Sequence, residues 1–398
     1  MNMVYYNTTP PKDNLDFDTI TELLFNKANN RLFLSDWNSN NGIDYLNDIY
    51  FKAFEKSISQ IDFYFSSENN ECQEIICNYI NSYYNIDLSK KQIIVGNNAT
   101  SLICFYIIQL SSLGVKNYLG LTPIYYSFVD AIKTSNSNIV FYQLNPLSKD
   151  SIVNDVEKAI KEYNIQAIII TDPIFCFGIT IDQTLLDDLI ALANRYGCYI
   201  IADLTREGLI WSNSEELIIN DSITTYCKAD KFAAIYSPCK KMFANGVKTA
   251  ILLVSDENID RLFSYQDSFI GSISSMQIKF LCLLFSKEYN KYVSSKIVSN
   301  KKLIKSNFDK IYAILLGSNL SLIKPDCGNY TVAKFEKKKY TEHEIFDLLY
   351  KNLNIVSLPM TLYNYFDDKS YLFRINLSIK SNFLIDAILK LRELDKYF

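Results

Sequence analysis

The sequence predicts an α/β fold. A three-layer unit built on a mostly parallel sheet is followed by a smaller α+β region. Between Gln92 and Val254, short apolar runs alternate with helical stretches. Those runs are apolar throughout rather than at every second position, as in strands buried on both faces. After Val254 the alternation stops, and long helical stretches lead into short strands and helices, a segregated pattern that suits a second, α+β unit.

The elements follow in order. Leu32–Leu34 is a short apolar run before Asp36-Trp37-Asn38 and an Asn-rich loop. Apolar spacing suits a helix from Asp44 to Gln60, and Ser66–Asn70 is a polar turn. Glu71–Tyr84 places Ile75, Ile76, Tyr79, Ile80 and Tyr83 on one helical face. Strands are expected at Gln92–Val95, Val115–Leu121, Ile139–Gln143, Ala167–Thr171, Cys198–Ala202, Phe232–Tyr236 and Ala250–Val254. Helices between them are expected at Ser101–Leu113, Ser127–Thr134, Ser151–Tyr163 and Leu185–Tyr196. Beyond Val254, long helical stretches cover Ile259–Tyr292 and Ser294–Leu316. Short strands follow near Tyr330–Phe335, Ile355–Ser357 and Leu372–Leu377, with helices at Glu342–Lys351 and Asn382–Leu394. The expected division is 1–50 as an N-terminal segment associated with the small domain, 51–285 as the large domain and 286–398 as the small one.

Composition removes several function classes. A chain of 398 residues is long enough for a large core. Its net charge of −4 favours neither a nucleic-acid groove nor an anionic membrane. No basic-then-apolar leader opens the chain, and no apolar run reaches the length of a membrane span. The nine cysteines are scattered and form no C-x-x-C pair. That opposes a zinc ribbon or a disulfide framework and fits a reducing cytoplasm. The single histidine, His343, lies two residues after Thr341 in a Thr-x-x-Glu capping box that ends at Glu344. Ser-His-Asp, Cys-His and His-ligated metal chemistry therefore lose their usual residue. A general base in this chain is expected to be a lysine or a carboxylate.

Ligands of such sheets collect at the carboxyl ends of strands. Thr100, Tyr125, Phe175, Asp203 and Ser237–Lys240 all fall just after expected strands. Strand, Gly96–Thr100 turn, then helix is an arrangement that offers backbone N–H groups to a phosphate. Lys231–Val254 is the central stretch, since its two strands flank a loop holding Ser237, Lys240, Lys241 and Lys248. A lysine at the edge of a core loses basicity and becomes a usable nucleophile. A basic surface loop is the alternative.

Taken in order, Gly96-Asn-Asn-Ala-Thr100, Thr122-Pro-Ile-Tyr-Tyr126, Thr171-Asp-Pro-Ile-Phe-Cys-Phe-Gly178, Ile200–Gly208, Ser237-Pro-Cys-Lys-Lys241 with Gly246-Val-Lys248, and Tyr371–Ser378 resemble the motifs of fold type I pyridoxal-phosphate enzymes. The resemblance is specifically to the class I/II aminotransferase group and covers roughly residues 60–395. It implies pyridoxal 5'-phosphate as cofactor and aminotransferase-like action on an amino acid, with a 2-oxo acid as possible second substrate. Lys240 would carry the cofactor as a Schiff base and shuttle the substrate proton. It is preferred to Lys241 because Ser237 precedes it by three and Lys248 follows by eight. Asp203 would pair with the ring nitrogen and keep the ring an electron acceptor. Tyr125 would stack on the ring. Asn98, Ala99, Thr100, Ser237 and Lys248 would hold the phosphate. Arg374 would fork the substrate's α-carboxylate. Tyr64 would reach the partner subunit's phosphate, implying a homodimer with shared sites.

The chain departs from the family pattern at defined positions. Phe175-Cys176-Phe177-Gly178 stands where the family has N-P-T-G, and Arg206 where it has a tyrosine. Lys248 replaces the phosphate arginine, and Asn98 the glycine of the first turn. Both usual donors to the cofactor's phenolic oxygen are absent, and Arg206 is the expected substitute. Its alternatives are a solvent-facing or Glu207-paired guanidinium, or a receptor for a distal acidic group. Elimination, substitution, cyclisation or decarboxylation on the same scaffold, or a non-catalytic homologue, are the competing functions.

Overall fold

The computed structural model describes residues 32–35, 47–58, 70–146, 152–207, 209–211, 222–242, 244, 246–255 and 259–396. The first elements are β1 (Leu32–Phe33), α1 (Asn47–Ile58) and α2 (Asn70–Tyr84). The alternating region then runs β2 (Ile93–Gly96), α3 (Ala99–Ser112), β3 (Asn117–Thr122), α4 (Tyr126–Thr134), β4 (Asn138–Gln143) and α5 (Val153–Tyr163). It continues through β5 (Ala167–Thr171), α6 (Gln183–Tyr196), β6 (Tyr199–Leu204), α7 (Ser222–Tyr226), β7 (Phe232–Tyr236), α8 (Pro238–Lys241) and β8 (Ala250–Val254). Three helices follow, α9 (Ile259–Phe269), α10 (Ser275–Leu284) and α11 (Lys287–Leu315). The remainder is β9 (Ser321–Leu322), β10 (Tyr330–Glu336), α12 (Glu342–Asn352), β11 (Ile355–Val356), β12 (Leu358–Pro359), β13 (Ser370–Asn376) and α13 (Ser381–Arg392).

The seven-stranded sheet has the order β2-β8-β7-β6-β5-β3-β4. β8 runs antiparallel to both its neighbours, and β3 to β7 pair in parallel. Side chains of a strand alternate between the two faces of its sheet. In β5, Ile168 and Ile170 enter one core while Ala167 and Ile169 enter the other. In β7, Phe232, Ala234 and Tyr236 join the first core, and Ala233 and Ile235 the second. Both faces are thus dry, which is why these strands read as unbroken apolar runs. Apolar α3 and α4 cover one face, through Leu102, Phe105, Phe128 and Ile132 among others. Amphipathic α5 and α6 cover the other, burying Val156, Ala159 and Ile160 from α5. This first core continues into β10, β13 and α13 without interruption.

The C-terminal strands form an antiparallel sheet, β12-β13-β10-β9. β1 pairs in parallel with β11, joining the Leu32–Phe33 segment to this region. Two sequence expectations need correction. The stretch Ile259–Tyr292 is three elements rather than one, and residue 294 lies inside α11. Gly271 takes φ +73, Ser274 opens α10 with a capping box to Gln277, and Ser286 precedes α11, so local chemistry breaks an otherwise continuous apolar period. The expected strand at Ile355–Ser357 divides at Ser357, with β11 joining β1 and β12 joining β13. The capping box at Thr341 and Glu344 forms as expected, and His343 beside it is exposed.

Candidate active site

Strand register brings the scattered motifs to one sheet edge. Thr171, Asp203 and Ile235 are lateral partners at the carboxyl ends of β5, β6 and β7. Gly96, which ends β2, pairs with Ala250, which opens the antiparallel β8. The Asn97–Thr100 turn, the Ser237–Lys240 turn and the Lys248–Thr249 approach therefore share that edge.

Two adjacent lysines in α8 have different surroundings. Lys241 is buried, with its Nζ 3.2 Å from Glu207 Oε2 and 4.5 Å from the centre of the Tyr236 ring. Burial alone would lower this ammonium, but Glu207, Tyr79 and Tyr83 outweigh burial and hold it above the ordinary lysine value. Tyr84 donates a further 2.7 Å hydrogen bond to Glu207. Lys240 is half-buried and its amine has no hydrogen-bond or ion-pair partner among the described residues. Burial, then the charges of Arg206 and Lys248, with Arg374 adding less, push it down to about 7. One lysine is thus a locked cation, and its neighbour is an amine deprotonated in appreciable fraction at neutral pH.

Asp203 is buried at the end of β6, where its Oδ1 accepts from the Thr205 backbone N–H at 3.0 Å. Burial raises its carboxyl, opposed by Thr205 and by the charges of Arg206 and Lys240. Behind it, burial pushes Asp172 up to about 7. Asn98 caps α3 by accepting from Ser101 N–H at 2.9 Å. The hydroxyl of buried Ser237 donates to the Thr249 carbonyl at 3.3 Å. Lys248 is exposed and takes φ +57. Tyr64 lies outside the described residues.

An aromatic wall closes the other side. Tyr125 contacts Tyr126 and Phe175, with ring centres 4.4 and 6.0 Å away, and Phe175 meets Tyr363 edge-on at 4.8 Å. Arg374 is fully buried in β13 and donates to the Ser35 carbonyl. Its guanidinium lies 4.5 Å from the Tyr330 ring centre and 5.6 Å from that of Tyr363. Arg206 is also buried. It donates to Asn329 Oδ1 and, at 2.7 Å, to Tyr330 Oη, with its guanidinium 3.9 Å from the Tyr330 ring centre. It neither faces solvent nor pairs with Glu207, whose partner is Lys241.

Residues 28–388 match the model of the family described as aminotransferase class I and II. The chain belongs to this family. Among solved structures, this aminotransferase-family chain superposes on an Escherichia coli protein identified as having a methionine aminotransferase function, with TM-score 0.79, 14% identity and coverage of 99% and 100% of the two chains. It also superposes on aspartate aminotransferase from Thermotoga maritima, with TM-score 0.78, 14% identity and 95% coverage of each chain. Among curated relatives, it is 21% identical to 1-aminocyclopropane-1-carboxylate synthase 7 of Arabidopsis thaliana over 55% of this chain and 49% of that one. A synthase 2 of Solanum lycopersicum matches at 23% over 37% and 33%. The matched part thus spans about half or less of these curated relatives.

Several residues of the site carried no signal in the sequence. Tyr330, Asn329 and Tyr363 arrive from the C-terminal sheet and its flank, far from the strand ends in sequence. Cys176 sits beside Arg374 with φ +66, and burial pushes its thiol up to about 12. The neighbouring Gly178 has φ +64, and a Cβ there would collide with the Cys327 carbonyl and lie 2.9 Å from that of Tyr330.

Proposed function

We propose that this chain binds pyridoxal 5'-phosphate at the strand-end cleft, held covalently by Lys240, and acts on the α-amino group of an amino acid in an aminotransferase-like reaction. The observation that carries this reading is the Lys240 amine, lowered to about 7 and without a hydrogen-bond or ion-pair partner among the described residues, close enough to buried Asp203 for their charges to couple. The donor set fits a phosphorylated pyridine. Arg206 Nε is buried without a hydrogen-bond partner among the described residues and is left for an oxygen of such a group. The first turn of α3 opens beside the basic Lys248 approach, a combination suited to phosphate.

When bound, the cofactor supplies an electron sink for the carbanion left by Cα–H removal. Asp203, shielded from water, keeps a proton on the ring nitrogen. Lys240, once its amine is released, takes the Cα proton and returns it, so no histidine is required. Tyr125 covers the ring. Backbone N–H groups of Ala99 and Thr100, with Asn98, Ser237 and Lys248, hold the phosphate. Arg374 binds the α-carboxylate, and the fixed charge of Arg206 favours an ionised phenolic oxygen. Residues 51–285 form the cofactor domain in this reading, with 286–398 and the 1–50 segment as the smaller unit; the pairing of β1 with β11 supports the latter grouping. A homodimer sharing sites through Tyr64 is part of the proposal, supported by exposed Phe51, Phe54 and Ile58 along one helix, α1. No helix among the described residues is long and apolar enough to cross a membrane, and all nine cysteines are free, in keeping with a cytoplasmic site of action.

The synthase relatives favour one second reading, a lyase-type reaction on the same cofactor. The deciding experiment adds single amino acids to the loaded protein and follows its absorbance. Conversion to the amine form with stoichiometric 2-oxo acid supports transamination. Product release with return of the starting spectrum supports the lyase. Absence of any bound cofactor refutes both.

A further inference from the structure

Arg206 and Arg374 come from different sheets yet meet on one side chain. Tyr330, 1% exposed, lies under both guanidiniums, at 3.9 Å from Arg206 and 4.5 Å from Arg374. The contacts to Arg206 are directional. Its two terminal nitrogens donate to Tyr330 Oη and to Asn329 Oδ1. Asn329 is itself fixed, since its side-chain amide donates to Ser378 Oγ at 3.3 Å and its backbone carbonyl accepts from Leu377 N–H at 2.8 Å. No carboxylate among the described residues lies within ion-pair distance of Arg206. Its direct contacts among the described residues are neutral oxygens and a ring face, with the Asp203 charge coupled to it from beyond ion-pair distance, and a buried cation placed so is costly. With both tips of its fork committed to this chain's own oxygens, Arg206 does not present a bidentate face to a ligand.

We infer that Arg206 is a positioning residue for Arg374. It clamps the hydroxyl and ring of Tyr330, and the clamped ring sets the plane of the guanidinium that receives the substrate carboxylate. The inference rests on the reading of Arg374 given above. The physical basis is geometric. A carboxylate is bound bidentately only when the guanidinium plane is correct, and an aromatic ring stacked on arginine constrains that plane. The clamp also crosses from the end of β6 to the start of β10, so it ties the strand-end cleft to the sheet that carries Arg374.

The test uses the protein loaded with pyridoxal phosphate and a matched pair of probes, 2-methylmethionine and the amine lacking its carboxylate. The first has no Cα–H, so binding is read by absorbance without proton loss at Cα. The readout is the carboxylate preference, the ratio of the two dissociation constants, which a general loosening of the fold does not move. Arg374→Ala is expected to abolish the preference. Arg206→Met and Tyr330→Leu are each expected to lower it roughly tenfold, the scale of one interaction of about 1.4 kcal/mol. The double variant is expected to match the single ones, because coupled residues are non-additive. Arg206→Lys keeps a charge but has no fork, and is expected to behave as Arg206→Met. An unchanged preference in Arg206→Met, a full additional loss in the double variant, or rescue by Arg206→Lys overturns the positioning role while leaving Arg374 in place. A preference that survives Arg374→Ala, or is absent from the unsubstituted protein, overturns both readings.

Discussion

Glu207→Gln should be one of the costliest single substitutions outside the cofactor contacts. Glu207 is fully buried and the Lys241 side chain is 5% exposed, with 3.2 Å between their charged atoms. Removing the carboxylate leaves an ammonium in the core with only neutral partners close by, the Tyr236 ring and the Tyr79 and Tyr83 side chains among the described residues. Breaking one side of such a pair costs about 3–5 kcal/mol. That is a large part of the roughly 5–15 kcal/mol that holds a typical protein folded. The amide of glutamine still accepts from Tyr84, so little of the loss comes from that bond. Lys241→Met in the Glu207→Gln background removes the stranded charge and should recover most of the stability. Alkaline pH gives a second check. In the unsubstituted protein the Lys241 ammonium sits above its unfolded value, so its contribution is full below about 10.4 and is lost as pH rises through the folded value. With the Glu207 charge gone, burial, the largest influence on Lys241, outweighs what Tyr79 and Tyr83 still add, and the folded value falls below the unfolded one. Stability should then rise with pH up to about 10.4, reversing the slope. Guanidinium unfolding followed by circular dichroism between neutral and alkaline pH measures both effects. A loss below about 1 kcal/mol for Glu207→Gln, the range of an exposed pair, would refute the reasoning, as would a double variant no better than either single one.

Three further outcomes are expected. Reaction of the cofactor-free protein with pyridoxal phosphate, trapped by borohydride and mapped by peptide, should place the label on Lys240 with a half-maximal rate near pH 7. Arg206→Met should move that midpoint upward, because a neighbouring cation disfavours the ammonium; labelling of Lys241 instead would reverse the assignment of the two lysines. Gly178→Ala should cost about 2 kcal/mol or more in unfolding measurements, since φ +64 disfavours a Cβ that would also meet two carbonyl oxygens. Phe51→Glu combined with Phe54→Glu should shift the sedimentation coefficient from dimer to monomer and weaken cofactor retention; an unchanged dimer would move the interface away from α1.

Much of the fold was legible because it rests on local, periodic chemistry. Strands buried on both faces must be apolar at every position, so β5, β7 and β8 stood out without any tertiary information. Their alternation with helices fixed a parallel sheet, and the strand-end rule then placed Asp203 and the Ser237–Lys240 turn at one edge. Helix breaks were less legible. The end of α9 and the start of α10 depend on one glycine at positive φ and one capping box inside a continuous apolar period.

The sequence by itself indicated which strand ends could carry chemistry and, through the single histidine, pointed to a lysine or a carboxylate as the expected base. It could only rank Lys240 above Lys241 by spacing. The tertiary structure separated them, because the sign of a lysine's pKa shift depends on whether a carboxylate shares its burial, and Glu207 lies 34 positions away from Lys241 in the chain. The same holds for Arg206. Nothing local to its turn indicates that Asn329 and Tyr330, more than 120 residues later, would take both ends of its fork. Periodicity records which side of an element is buried. It carries no record of which distant side chain meets it there, and that pairing sets the charge and geometry of the site.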